Sequence, residues 1–151
     1  AFIRNGLVHL QMHDIKHVEK RGEAFFVDTG SPHLIKMVHD LDQLDVKIEG
    51  SKVRYSDRYK EKGVNINFIE SANGTTSIRT YERGVEDETL SCGTGCTAVA
   101  LTLSHLGEQS PVTLSAKGGT LQVSFEKVKE GFRNIYLIGP AEQVYSGEIE
   151  I

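Results

Sequence analysis

The sequence predicts an α+β domain in which a mixed, mostly antiparallel sheet surrounds one central buried helix. Many short segments alternate apolar and polar residues, as half-buried strands do. Residues 96–106 are instead apolar on most sides of a helix, which is typical of a helix buried on all its faces. The 151 residues suit a single domain, or at most a small two-lobed one.

Composition and charge restrict the classes of function. Seventeen Lys and Arg against 21 Asp and Glu give a net charge of −4, and no basic stripe is present that would bind the phosphates of a nucleic acid. No apolar run reaches the roughly 20 residues of a membrane helix. No signal peptide is apparent, and both cysteines lie in one short stretch without a disulfide framework, so we expect a cytoplasmic protein. A chain that begins with Ala1 is expected to be processed or to be a piece of a longer one.

The first half of the chain combines strand and helix signals. Residues 8–13 alternate and residues 25–27 form a short apolar run, so both segments are predicted strands. Ser31 and the proline after it have the form of a helix start, because Ser is a good N-cap and Pro is tolerated at the first helical position. Apolar residues follow at helical spacing, which predicts a helix over about residues 32–41. A second, short helix is a candidate near residues 53–60.

The second half begins with a predicted hairpin. Residues 65–69 alternate, and Asn73-Gly74 is a strong turn signal, so a returning strand is predicted over residues 75–81. The buried helix follows and closes at Gly107. Further strands are predicted at residues 112–115, 121–125, 135–138 and 144–151, with a Gly118-Gly119 turn before the second of them.

The segment Cys92-Gly93-Thr94-Gly95 is the sharpest chemical feature. A thiol stands just before a glycine-rich turn that opens a helix, where unpaired N–H groups carry partial positive charge. Such a site stabilises a thiolate, the reactive form of cysteine, and can also hold a carboxylate. On this motif alone we favour the alternative that Cys92 is a small buried packing residue. Cys96 lies on the apolar stripe and is interpreted as core, and no zinc pattern is present.

Two other polar groups each allow two interpretations. Glu82-Arg83 at a strand end is either a solvated surface pair or a clamp in which Arg grips a carboxylate and Glu an ammonium. Asn65 and Asn67 share one strand face, which is either a solvent face or the polar wall of a pocket. From these residues alone we favour the surface pair and the solvent face.

Ser31-Pro32-His33 also allows two interpretations. The first is an N-cap followed by an exposed histidine. The second is a helix start aimed at an anion, with an imidazole that can change charge near neutral pH. The five other histidines are assigned no role.

Taken together, several segments resemble the C-terminal half of diaminopimelate epimerase in their order and spacing, over about residue 25 to the end. The matching segments are Asp-Thr-Gly-Ser-Pro-His (28–33), Gly-Val-Asn-Ile-Asn-Phe (63–68), Tyr-Glu-Arg-Gly (81–84), Ser-Cys-Gly-Thr-Gly (91–95) and the ending at 139–149. The resemblance implies an isomerase of lysine and peptidoglycan biosynthesis that interconverts LL- and meso-diaminopimelate without pyridoxal phosphate, other cofactor or metal. It also implies two similar lobes, each a barrel-like sheet around a central helix, with residues 1–151 forming the C-terminal one.

The resemblance further implies a mechanism with one cysteine from each lobe on opposite sides of the substrate's α-carbon. Carried over by position, Cys92 is the catalytic cysteine of the C-terminal lobe. Gly93 and Thr94 would present backbone N–H groups to the reacting carboxylate. Expected partners are diaminopimelate, the N-terminal lobe of the same enzyme and, as a candidate, a second copy in a homodimer, with no nucleic acid and no membrane.

The same resemblance assigns the remaining site residues. Glu82 and Arg83 would clamp the ammonium and carboxylate groups of the substrate, and Asn65 matches a substrate-binding Asn. Ser31 is the remaining candidate for substrate binding. His33 and Glu82 would tune the two thiols.

The sequence also departs from the family pattern. Ser31 stands where many members have Asn, and the loop at residues 84–89 looks one residue longer. No Cys-Gly-Asn-Gly segment is present, so the second catalytic cysteine is expected to lie outside this chain, and the chain alone is expected to be inactive. Two alternatives remain: a racemase of another amino acid such as histidine or proline, and a binding or structural lobe in which Cys92 is inert. Thiol reactivity separates the last from the other two.

Overall fold

The computed structural model describes residues 1–72 and 74–150, and within them the chain forms eleven strands, two α-helices and one short 3-10 helix. The strands are β1 (Phe2–Arg4), β2 (Leu7–Gln11), β3 (Glu19–Arg21), β4 (Ala24–Asp28), β5 (Pro32–Met37), β6 (Asn65–Ala72), β7 (Thr75–Glu82), β8 (Asp87–Thr89), β9 (Val112–Ala116), β10 (Gly119–Val128) and β11 (Gly131–Gly139). The helices are α1 (Val46–Arg54) and α2 (Gly93–His105), and the 3-10 helix is Leu41–Gln43.

All strands belong to one sheet. Its order is β1-β2-β11-β10-β9-β7-β6-β5-β4-β3, with β8 paired to β7. The pairs β5 with β6 and β7 with β9 are parallel, and the other neighbours are antiparallel. The predicted α+β class with a mixed, mostly antiparallel sheet is therefore confirmed, and the sheet is open, with β1 and β3 at its two ends.

Helix α2 is the centre of the larger core. Every residue from Gly95 to Ser104 is buried, and the helix contacts β4, β5, β6, β9, β10 and β11. This confirms the helix predicted to be buried on most sides. A second, smaller core that includes Val46, Ile66, Phe68 and Tyr81 lies between α1 and the other face of the sheet.

Strand β6 is consequently covered on both faces. Ile66 and Phe68 belong to the core beside α1, while Asn67 approaches Gly95 of α2 on the other face. Asn65 is only 3% exposed and Asn67 is fully buried. The favoured interpretation of these two asparagines as a solvent face is therefore wrong, because a central strand between two layers has no solvent side.

The helix predicted over residues 32–41 is also wrong. Residues 32–37 form β5, which pairs antiparallel with β4 and parallel with β6. His33, Leu34 and Ile35 are consecutive and all buried, which is the pattern of a strand covered on both faces. The helical spacing of Leu34 and Val38 is overridden by this pairing, so no helix start exists at Ser31 to hold an anion.

Two further element predictions need correction. The short helix predicted near residues 53–60 lies earlier, at Val46–Arg54. Its start is determined by Asp45, whose side chain caps the helix by accepting the Ile48 N–H at 2.9 Å. No strand forms over residues 140–150, whose side chains are all exposed. Strand β11 already pairs on both sides, with β2 and β10, and leaves the tail no neighbouring position there. The last residue of the predicted strand, Ile151, lies outside the described residues.

The other predicted strands are confirmed, with small shifts of their ends. Residues 8–13 correspond to β2, residues 25–27 to β4, and the three later predictions to β9, β10 and β11. Strands β6 and β7 pair antiparallel up to Ala72 and Thr75, as the hairpin prediction requires. Asn73 of the predicted Asn73-Gly74 turn lies outside the described residues. Strands β1, β3 and β8, each three residues long, carry too short a pattern to be predicted.

Candidate active site

Cys92 is the N-cap residue of α2. Its backbone is extended (φ −124°, ψ 105°), and Gly93 and Thr94 begin the helix directly after it. The first N–H groups of a helix have no acceptor within the helix. Gly93 and Thr94 are both partly exposed, so this helix start is open at the surface. The backbone N–H groups of Thr94 and Gly95 hydrogen-bond the Cys92 sulphur and favour its thiolate.

A buried histidine lies behind this helix start. His33 is fully buried, with Nε2 3.0 Å from the Thr94 hydroxyl and Nδ1 3.1 Å from the Asn67 amide nitrogen. Burial lowers the pKa of His33 to about 3, and the positive charge of Arg83 acts in the same direction. His33 is therefore neutral at physiological pH, and the interpretation of it as an exposed residue is wrong.

The two thiols differ in their surroundings. The Cys92 sulphur lies 3.5 Å from the Thr94 hydroxyl, and Cys92 is 7% exposed. Burial raises the pKa of the Cys92 thiol, as does the charge of Glu82, while Thr94 and the backbone of Gly95 lower it. Cys96 is fully buried, which raises its pKa to about 12. Both cysteines are free.

The amide of Asn65 joins two loops at the rim of the sheet. Its nitrogen donates to the Ser31 hydroxyl at 2.8 Å and to the Pro32 carbonyl at 2.9 Å. Its oxygen accepts the backbone N–H of Arg83 at 2.9 Å. Because Asn65 uses the Ser31 oxygen as an acceptor, the Ser31 hydroxyl hydrogen can point outward, and it has no acceptor among the described residues.

Glu82 and Arg83 follow at the end of β7. The Glu82 carboxylate accepts the Thr89 hydroxyl at 2.9 Å. The Arg83 side chain is exposed and donates to the Lys62 carbonyl at 3.0 Å. The interpretation of Glu82 and Arg83 as a surface pair with each other does not fit, because each side chain has a different partner.

Beside Arg83 lies an open cavity of about 360 Å³ with a cationic lining. Arg21, Arg58, Lys62 and Arg83 contribute to its wall, against the single carboxylate of Asp28. A cavity with this charge balance suits an anionic group such as a carboxylate.

No group of three or more His, Cys, Asp or Glu side chains among residues 1–72 and 74–150 is arranged to hold a metal ion. No helix in the same part of the chain is both long enough and apolar enough to cross a membrane.

Comparison with known proteins identifies the family. The sequence model of diaminopimelate epimerase matches residues 25–144. This chain belongs to the diaminopimelate epimerase family.

Named members of the family cover most of the chain. It is 47% identical over 148 residues to the diaminopimelate epimerase of Flavobacterium psychrophilum, a match that covers 96% of this chain and 58% of that protein. It is 50% identical over 130 residues to the diaminopimelate epimerase of Chlorobaculum tepidum, covering 83% of this chain and 49% of that protein. The chain thus spans about half the length of these diaminopimelate epimerases.

A solved structure has the same type of fold at low sequence identity. A phenazine biosynthesis protein of the PhzF family from Enterococcus faecalis aligns with a TM-score of 0.50 and 13% identity, over 82% of this chain and 42% of that one. At this identity the likeness concerns the fold alone.

The eight residues assigned from the family resemblance come together at one rim of the sheet. Ser31, Asn65 and Arg83 form one hydrogen-bonded group, and His33, Thr94 and Cys92 form a second. Glu82 and Gly93 are the chain neighbours of Arg83 and Cys92. The two groups adjoin because His33 pairs with Asn65 in the parallel register of β5 and β6.

Two residues beyond these eight, Asn67 and Thr80, also take part in this hydrogen-bonded geometry. Asn67 contacts His33, and the Thr80 hydroxyl donates to the Asn67 side-chain oxygen at 3.0 Å. The available signal was the pair of asparagines two positions apart in a strand with a strongly apolar opposite face. A strand with one polar face commonly lies at a surface, so this alternation by itself favours a solvent face.

Proposed function

We propose that residues 1–151 form the C-terminal lobe of a diaminopimelate epimerase and contribute half of its active site. The complete enzyme interconverts LL- and meso-diaminopimelate without a cofactor, using Cys92 and a second cysteine from the N-terminal lobe. The observation that carries the proposal is the placement of Cys92 at a helix start, at the same rim as a cationic cavity and the Asn65–Arg83 group.

The reaction removes one proton from one face of the α-carbon and adds one proton to the opposite face. The Cys92 thiolate removes the α-proton, so that the C–H bond breaks, an S–H bond forms and the electron pair remains on the α-carbon and its carboxylate. The second thiol then delivers a proton to the opposite face. In the reverse direction the two thiols exchange roles.

The backbone N–H groups of Gly93 and Thr94 stabilise the negative charge that develops on the reacting carboxylate. They are fixed before the reaction by the geometry of α2, so no reorganisation is needed as charge develops.

The second amino-acid end of diaminopimelate occupies the cationic cavity. Arg83 grips its carboxylate with two parallel hydrogen bonds, which a guanidinium can form and an ammonium cannot. The outward hydroxyl of Ser31 donates a further hydrogen bond, and Glu82 accepts one from a substrate ammonium group. His33 and Glu82 tune the thiols. A substrate with a single carboxylate would leave Arg83 without a carboxylate partner, which favours diaminopimelate over a simpler amino acid.

The experiment compares the purified chain with the same chain joined to the N-terminal part of the Flavobacterium psychrophilum protein that precedes the matched region. The readout is exchange that accompanies inversion, that is, solvent deuterium in the epimer opposite to the one supplied, and it is followed by chiral chromatography and mass spectrometry. We expect exchange in the joined protein and none in the chain alone. Cys92→Ala should abolish exchange, and the matched control Cys96→Ala should retain it. Full exchange in Cys92→Ala would refute the assignment.

A further inference from the structure

The orientation of the Asn67 amide is fixed by its neighbours. Its nitrogen lies 3.3 Å from the Leu34 carbonyl oxygen, which can only accept a hydrogen bond. Its oxygen accepts the Thr80 hydroxyl at 3.0 Å. The Asn67 nitrogen therefore also donates to His33 Nδ1, 3.1 Å away.

This orientation determines the tautomer of His33. Since Nδ1 accepts a hydrogen bond from Asn67, the ring hydrogen of the neutral imidazole is on Nε2. Nε2 then donates to the Thr94 hydroxyl oxygen at 3.0 Å. Thr94 keeps its single hydroxyl hydrogen, which can point to the Cys92 sulphur 3.5 Å away. In the opposite tautomer, Nε2 would take that hydrogen bond from Thr94, and the Cys92 sulphur would lose its hydroxyl donor.

We propose that Asn67 is a positioning residue that sets the direction of the hydrogen-bond chain from His33 through Thr94 to Cys92, so that the chain ends in a donor to the Cys92 thiolate. The proposal deepens the proposed function, on which it rests for the role of Cys92. Asn67 is linked to the Cys92 sulphur through two intervening side chains, those of His33 and Thr94.

The close packing of Asn67 against Gly95 of α2 supports this role. A methyl group added at Gly95 would overlap the Asn67 side-chain oxygen, so the second glycine of Gly-Thr-Gly provides the space that Asn67 occupies. No buried side-chain nitrogen or oxygen within the described ranges is left without a hydrogen-bond partner. Reversing the Asn67 amide would turn its oxygen toward the Leu34 carbonyl oxygen, and two acceptors that face each other in a buried site are costly.

Few charged groups act on this chain of residues. Arg83 is the charged group that acts on His33, and Glu82 is the one that acts on Cys92, while Cys96 lies one helical turn beyond Cys92. The pH dependence of Cys92 alkylation is therefore measured in a Cys96→Ala background, which leaves Cys92 as the thiol that reacts, with Glu82 and Arg83 unchanged.

The first measurement uses the unsubstituted 151-residue chain. Long-range ¹H–¹⁵N NMR correlations of His33 at pH 7 should show a protonated Nε2 and an unprotonated Nδ1. A ring protonated on Nδ1, alone or as imidazolium, would overturn the proposal whether or not any variant folds.

The second measurement is the pH at which alkylation of Cys92 reaches half its maximal rate. Asn67→Leu should raise this midpoint by about one pH unit, a tenfold lower thiolate fraction at fixed pH, since a hydrogen bond to the thiolate is lost. Thr94→Val should do the same, while the control Thr97→Val, which removes a hydroxyl bonded only to the Gly93 carbonyl, should not. In the Thr94→Val background Asn67→Leu should add nothing.

An unshifted midpoint in Asn67→Leu, or the same shift with and without the Thr94 hydroxyl, would overturn the proposal. These readouts need no epimerase activity. If they hold while Cys92→Ala retains α-proton exchange in the joined protein, the positioning role stands and the proposed function fails.

Discussion

The side-chain oxygen of Asn65 accepts the backbone N–H of Arg83 at 2.9 Å, across 18 positions of sequence. Asn65 is almost wholly buried, whereas the Arg83 side chain is exposed. The backbone of an arginine that can reach a ligand is thus held by a rigid strand of the core. The same amide holds Ser31 from the other side, so the two loops that line the proposed carboxylate site depend on one buried residue.

Asn65→Ala should therefore destabilise the chain. The change leaves the Arg83 N–H and the Pro32 carbonyl without their partner, which costs about 1–3 kcal/mol. Urea unfolding followed by circular dichroism measures the loss. The exposed amide Gln109 provides the control, because Gln109→Ala should change the free energy of unfolding by less than about 0.5 kcal/mol. Equal effects of the two substitutions would contradict the account.

Arg83→Lys should weaken the use of diaminopimelate by the joined protein. Lys keeps the positive charge but cannot form two parallel hydrogen bonds to one carboxylate, so kcat/KM should fall at least about tenfold. The control Arg133→Lys changes an exposed arginine that pairs with Glu126 and should have no effect. Unaltered kinetics in Arg83→Lys would remove Arg83 from the site.

The sequence was sufficient to predict α2, because its apolar residues cover most sides and its glycine-rich start is unambiguous. It was not sufficient for β5, since Leu34 and Val38 have helical spacing and only the pairing of this segment between β4 and β6 shows that it is a strand. Tertiary pairing of this kind is not visible in a local pattern.

In the candidate site, too, some features follow from the local sequence and others depend on tertiary contacts. The position of Cys92 before a helix start follows from the local sequence, whereas the neutral state of His33 follows from burial under α2, which depends on residues 61 positions apart. Alternation alone predicts a solvent position for Asn67, because it does not reveal that a second layer buries the polar face. Each motif taken alone favours a structural interpretation of its residues. The site roles of these residues are instead implied by the family resemblance.

The free energy of unfolding should decrease as pH is lowered from about 6 to 4, in part because of His33. Its pKa is about 3 in the folded chain and about 6.5 when unfolded, so the unfolded state binds more protons in this window and gains stability as pH falls. His33→Gln should flatten this dependence, which otherwise approaches about 1.4 kcal/mol per pH unit. The exposed His13 is the control, and His13→Gln should leave the slope unchanged. A slope that survives in His33→Gln would mean that other groups cause it.

The central claim is that Cys92 is the reactive thiol of this lobe, and brief alkylation with iodoacetamide followed by peptide mapping tests it most directly. Cys92 should be modified much faster than Cys96 in the folded chain, because Cys96 is fully buried with a pKa of about 12, and the difference should disappear in denaturant. Modification of Cys92 should accelerate as pH rises past 9, since burial raises its pKa above that ordinary value. Equal labelling of both cysteines in the folded chain, or faster labelling of Cys96, would show that Cys92 is a packing residue.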